Sequence, residues 1–273
     1  MIRRCYPGGK SRAFSVTYDD GVLQDVPFVA LLNRYGIKGT FNLNAALMEQ
    51  EFVWQHECGM EVRRLPPQQV VGLYEGHEVA SHTLTHPYMQ NLGDEALAWE
   101  IGEDKRRLEA LLGREVAGFA VPFDYYDARI AQCVERCGFA YGRMSVESDG
   151  YDPWEKKYFW RAGIFHLRPE LEQFVEDFLR SDQELALCQI VGHSYDLDVA
   201  GLWDTMERIF SRVSRAKDVA FLTHIQLVRY LDAMGQAELV DNTISNPSDM
   251  ELWFAVDGQI QSVPPGGKVT INC

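Results

Sequence analysis

Short runs of β-branched and aromatic residues alternate along this chain with runs whose apolar positions recur every three or four residues. Residues 13–18 (AFSVTY) form the first β-type run, which ends at Gly21. The next run, 22–35, carries Val22, Val26, Val29, Leu32 and Tyr35 at helical spacing, with Gly36 as a stop. Residues 39–43 predict a second strand, 44–65 show no clear period, and 66–75 predict a helix entered through prolines. A third strand is expected over 78–83. Asp94 is placed to cap a long helix to Leu112, with Leu97, Ile101, Leu108, Leu111 and Leu112 on one face. Segments 116–123 and 139–144 read as strands around a helix over 127–137. Segments 170–180, 185–192, 201–215, 219–223 and 225–234 continue the alternation. This repetition predicts an α/β fold: a mostly parallel sheet covered by helices, open or closed into a barrel.

The pattern changes after Gly235. A turn cluster at Asn246-Pro-Ser-Asp precedes two β-type runs, 252–256 and 259–263, joined by Asp257-Gly258, which is a hairpin signal. A third run covers 269–271. Residues 1–238 are therefore expected to form the main domain and 239–273 a small C-terminal β appendage. The appendage is read as an edge cover, an oligomer contact or a sugar-binding lobe.

At 273 residues the chain suits one large domain, and 46% hydrophobic with 24% charged residues is ordinary globular composition. The formal net charge of −14 argues against nucleic acid or an anionic membrane as partner. A homo-oligomer is compatible with it. The opening MIRRCYPGGKSRAF lacks an apolar run after its basic residues, so no secretory signal is read there and a cytoplasmic location is expected. Six scattered cysteines do not make a disulfide framework, and Cys133 and Cys137, four apart, read as buried helix residues.

The chemistry gathers where strands end. Asp19 and Asp20 stand together where the first strand gives way to Gly21. Neighbouring strand side chains point to opposite faces, so both carboxylates reach one site only if the backbone turns there. A helix N-cap would need one carboxylate, not two. His82 and His86, in GHEVASHTLTHP, lie where a β-branched run meets Pro87, which favours a strand leading into a loop. Thr83 stands where the H-E-x-x-H zinc-protease pattern requires Glu. Two histidines in a rim loop plus a carboxylate at another strand end complete a two-nitrogen, one-oxygen set with coordination positions left open.

These residues resemble the motifs of the polysaccharide deacetylases, carbohydrate esterase family 4. Thr17-Tyr-Asp-Asp-Gly21 is similar to the family's T-F-D-D-G, and Ser81-His-Thr-Leu-Thr-His86 to its H-[ST]-x-x-x-[HD]. The likeness continues through Gly39-Thr-Phe41, Gly118-Phe-Ala-Val-Pro-Phe123 and Gly192-His193, spanning roughly 13–235. It implies a distorted (β/α) barrel, Asp20, His82 and His86 as metal ligands, Asp19 as catalytic base and His193 as catalytic acid. The implied cofactor is one divalent ion, zinc first, with cobalt, nickel or manganese as alternatives. The implied substrate is an acetylated sugar or oligosaccharide, with Phe123 and Trp160 as candidate ring-binding residues. A backbone N–H near Phe123 would serve the oxyanion.

One departure stands out. The family carries Arg at the start of its third motif, where it supports the base, and Ala120 occupies that position here. Either another cation, Arg161 or Arg143, orients Asp19, or its basicity is tuned differently. Two other readings stay open: a hydrolase of this fold acting on a linear or cyclic non-sugar amide, and a non-catalytic sugar-binding protein.

Overall fold

The strand–helix alternation becomes eight parallel strands wound into a nearly closed barrel, seen in a computed structural model that describes residues 2–153 and 156–271. In chain order the elements are β1 (Ile2–Cys5), β2 (Arg12–Asp19), α1 (Asp25–Tyr35), β3 (Gly39–Leu43), α2 (Ala45–Glu49), β4 (Val53–Gln55), β5 (Glu61–Arg63), α3 (Pro67–Leu73) and β6 (Glu78–Ser81). Then come α4 (Asp94–Leu112), β7 (Gly118–Ala120), α5 (Ala128–Arg136), β8 (Tyr141–Glu147), β9 (Trp160–Ala162), β10 (Ile164–Phe165), α6 (Leu171–Arg180) and β11 (Ala186–Gly192). The chain continues with α7 (Ser194–Ala200), α8 (Trp203–Ser214), β12 (Val219–Phe221), α9 (His224–Met234), β13 (Glu238–Val240), β14 (Thr243–Ser245), β15 (Leu252–Val256), β16 (Gln259–Val263) and β17 (Lys268–Thr270).

The barrel runs β10-β11-β2-β3-β6-β7-β8-β9, and β12 pairs the first half of β2. Its ends meet through Gly163. β9 pairs β8 while β10, one residue on, pairs β11, so a single extended segment bridges the two sheet edges. A Cβ at Gly163 would sit 1.9 Å from the Gln189 carbonyl oxygen, which is why the closing residue has no side chain.

Alternation along β2 sorts the two faces. Phe14, Val16 and Tyr18 join the helix-side core with Phe28, Leu32 and Phe210, whereas Ser15, Thr17 and Asp19 face inward. Burying a side chain the size of Phe14 or Phe28 contributes about 1.5–3 kcal/mol, enough to hold α1 and α8 on the strands. Inside, the lower end of the barrel is filled by Ala13, Tyr141, Trp160 and Leu187.

That lower core is shared with the appendage. Tyr6, Ile244, Leu252, Phe254 and Val263 belong to the same cluster as Tyr141 and Trp160. The expected hairpin is present, with Val256 opposite Gln259 around Asp257-Gly258. Its outer partner is β1, antiparallel to β15, so residues 2–5 are part of the lobe although they lie at the other end of the chain. β13, β14 and β17 make a second small sheet.

The aperiodic stretch 44–65 holds α2 and the β4–β5 hairpin, too short to register as periods. The helix expected from Gly201 is α8, and the separate seven-residue α7 precedes it, directly after His193. No helix of the described residues is long and apolar enough to cross a membrane.

Candidate active site

The ends of β2, β6, β7, β8 and β11 surround a cavity of about 570 Å³ whose lining includes Asp19, Asp20, His82, His86, Phe123 and His193. Its backbone is unusual. Asp20 (φ 85°), Thr83 (67°), His86 (56°) and Phe123 (58°) are all left-handed non-glycine residues. At Asp20 this conformation breaks the strand pleat, and that lets two consecutive carboxylates line one cavity. Each such residue costs on the order of 1–3 kcal/mol, tolerated where surrounding contacts over-determine it.

Asp20, His82 and His86 are the one group of three such donors, among the described residues, close enough to share an ion; their ligand atoms lie within 4.8 Å of one another. His82 is 2% exposed, and its Nδ1 lies 2.9 Å from the Ala120 carbonyl oxygen, so Nδ1 carries the proton and Nε2 is left as a ligand. Burial lowers the His82 pKa to about 4 and lowers that of His86 too, despite the nearby carboxylates. Both are therefore neutral, as metal binding requires. Asp20 Oδ1 is buried and accepts no hydrogen bond, although the Arg64 guanidinium lies 2.9 Å away. An ionised, unbonded carboxylate oxygen beside two neutral imidazoles suits a divalent cation, and this donor set fits zinc chemistry. Burial alone would raise the Asp20 carboxyl, but the Arg64 guanidinium and the charged His193 hold it well below the usual range.

Asp19 is anchored separately. Its Oδ1 accepts hydrogen bonds from Arg143 Nη2 and from Asn42 Nδ2, the latter at 2.6 Å. Ala120 and Arg143 are direct cross-strand partners in the β7–β8 register. The cation missing at position 120 therefore stands one strand over, at the same height in the barrel. Against the desolvation that raises it, Arg143 and His193 lower the Asp19 carboxyl below its ordinary value. Arg161, the other candidate, instead donates to the Glu147 carbonyl.

His193 follows β11, the strand beside β2, and lines the same cavity. Its Nδ1 lies 3.0 Å from Asp196 Oδ2, and the same oxygen lies 3.2 Å from His166 Nε2. His166 Nδ1 lies 2.7 Å from the Tyr18 hydroxyl, which donates to it. One carboxylate thus serves two imidazoles. Burial opposes charge on His193, but Asp196, Asp20 and Asp19 outweigh it and raise its pKa to about 9. On His166 burial prevails and the ring stays neutral. A Cβ at Gly192 would meet the His166 ring at 2.4 Å, so glycine there admits the second imidazole.

Phe123 borders the cavity, 39% exposed, with its ring stacked 3.9 Å from Tyr88 and edge-on to His86. Trp160 is not brought to the site. It is 1% exposed, packed on Tyr141 and His224 in the barrel floor, because its β9 position faces inward below the rim. Arg64, Asn42 and Asp196 are residues around the site that the sequence patterns do not single out, whereas His166, in the run FWRAGIFHL, is one the sequence leaves near the rim. Only Asp196, three residues after His193 at a helix start, carries a local signal. Arg64 arrives through the β4–β5 hairpin, which has none.

The polysaccharide deacetylase family model matches residues 7–142. A chitooligosaccharide deacetylase of Azorhizobium caulinodans is 26% identical over 60% of this chain and 67% of its own length. A structure from Mycobacterium smegmatis, assigned to the polysaccharide deacetylases, superposes with TM-score 0.61 at 14% identity, covering 85% of this chain and 94% of that one. A family 4 carbohydrate esterase of Streptomyces lividans in complex with acetate gives TM-score 0.51 at 16% identity, over 77% and 92%. At such identities the two structures share the fold.

Proposed function

The chain belongs to the polysaccharide deacetylase family, and from that premise we propose that it removes N- or O-linked acetyl groups from a carbohydrate in a metal-dependent hydrolysis. One observation carries the reading. The Asp20–His82–His86 cluster shares one cavity with an ionised carboxylate, Asp19, and a protonated imidazole, His193.

A divalent ion held by Asp20, His82 and His86 would supply Lewis acidity to the acetyl carbonyl and to the attacking water. Asp19 takes the proton from that water, and Arg143 and Asn42 hold the carboxylate in line while leaving its second oxygen free. The backbone N–H at Phe123 stabilises the charge that develops on the carbonyl oxygen. His193 donates its Nε2 proton to the departing amine or alkoxide, with Nδ1 held by Asp196. His166 and Tyr18 keep Asp196 in place from behind.

A neutral residue at 120 favours a non-sugar amide only while Asp19 lacks a cation. That reading loses force because Arg143 supplies one from the neighbouring strand. A purely binding role leaves the opposed charge states of Asp19 and His193 without a use. The test is bound-metal analysis combined with acetate release from a panel of acetylated sugars, run on wild type and Asp19→Asn. Metal content near one per chain with acetate release, abolished in Asp19→Asn, is the expected result. Metal-free protein, or activity intact in His82→Ala, would overturn it.

A further inference from the structure

Strand β8 carries three polar residues on one face, and the mechanism uses only the lowest. Arg143, Ser145 and Glu147 all line the cavity, while Met144 and Val146 between them do not. Five residues of β8, from Arg143 to Glu147, stand opposite three on β9, from Trp160 to Ala162. This irregularity arches β8 away from its neighbour, and its upper half becomes a wall above the catalytic base.

One feature of that wall lacks an internal explanation. The Ser145 hydroxyl oxygen is shielded from solvent and makes no hydrogen bond. A buried hydroxyl without a partner is costly and calls for a polar group from outside the chain. Two residues higher, Glu147 is fixed by the Phe165 N–H at 2.7 Å and faces Arg168, whose Nε lies 3.3 Å from its other oxygen. Arg168 enters this pair through Nε, and its side chain is 59% exposed at the cavity mouth. The same cavity is bordered by the Phe123 ring, braced by Tyr88.

We propose that Ser145, Glu147 and Arg168 are the specificity wall of the site, reading ring hydroxyls of a pyranose whose apolar face lies on Phe123. The proposal rests on the deacetylase reading and adds the side chains by which the site would select a polyhydroxylated ring over a simple acetyl ester or amide. A carboxylate that accepts and a guanidinium that donates match the two roles of vicinal hydroxyls, and Ser145 can do either. A ligand without hydroxyls leaves Ser145 unpaired and shields the Glu147–Arg168 pair from water without bonding to it, an arrangement that discriminates against it.

The experiment compares kcat/KM for the acetylated sugar that wild type cleaves best, from N-acetylglucosamine and O-acetylxylose oligomers, with that for 4-nitrophenyl acetate. Ser145→Ala and Arg168→Met should each lower the sugar-to-aryl-acetate ratio at least about tenfold, with the loss in KM for the sugar rather than in kcat. An unchanged ratio in both variants overturns the wall, whether both activities fall together or neither falls. Wild type that cleaves the aryl ester but no sugar overturns the deacetylase reading itself, and the wall with it.

Discussion

Replacing Arg143 by Met tests the electrostatic centre of the site. Asp19 and Arg143 have side-chain exposures of 10% and 1%, so neither charge has water to fall back on. Removing one partner of such a buried pair typically costs about 3–5 kcal/mol, because the other charge is left uncompensated. Asn42 still donates to Asp19 at 2.6 Å, and a hydrogen bond to a charged group offsets about 1.5–3 kcal/mol, so the lower end of that range is expected. The pH dependence gives the sign. In wild type the folded-state pKa of Asp19 is depressed, so its contribution is present above the unfolded value near 4 and lost as pH falls through the folded value. Without Arg143, burial is the largest influence left and pushes the carboxyl up. The variant then loses stability as pH rises from about 4, and the gap from wild type is widest near neutrality. Urea unfolding at pH 5 and pH 8 reads this directly, and the acid limb of kcat/KM should move to higher pH. A destabilisation equal at both pH values, with an unmoved acid limb, would refute the argument. Because Ala120 and Arg143 are cross-strand partners, Ala120→Arg in an Arg143→Ala background should recover part of both losses.

Asp196→Asn removes the partner that most favours charge on His193. The raised His193 pKa, about 9, makes a contribution that is full below about 6.5 and lost as pH rises through 9; the variant's basic limb in kcat/KM should fall to lower pH. A limb that stays put would mean His193 is not the acid. Chelation by dipicolinate should lower the Tm of wild type, since a ligand at 1,000 times its Kd stabilises by about 4 kcal/mol, and should leave His82→Ala unaffected. Leu252→Ala, at a fully buried position of the appendage, should cost about 2–5 kcal/mol in urea unfolding, and a chain ending at 238 should not yield a folded barrel. A stable, active chain ending there would show the lobe to be dispensable.

Much of the fold is legible in the chain because it is written in short periods. The alternation of 13–18 and 39–43 places strands, and the three-and-four spacing of 22–35 places α1. Asp257-Gly258 sets the β15–β16 hairpin through turn geometry alone. Less visible are α2 and the β4–β5 hairpin, where three to five residues are too few to show a period. Trp160 illustrates a different limit. An aromatic residue in a short β-type run can face a ligand or the core, and the level of β9 below the rim sends Trp160 inward.

By itself the sequence determined the candidate site residues that lie within a few positions of one another or at a strand end: Asp19 beside Asp20, His82 four residues before His86, and His193 at the end of a strand. Local backbone geometry decides which way such neighbours point. Tertiary structure alone decided what holds them. Arg143 reaches Asp19 from 124 positions away because β7 and β8 pair Ala120 with Arg143. Arg64 meets Asp20 because a hairpin folds back over the barrel mouth, and His166 shares Asp196 with His193 because Gly192 leaves room for a second ring. Register, closure and close approach are properties of the assembled sheet, and no period along the chain encodes them.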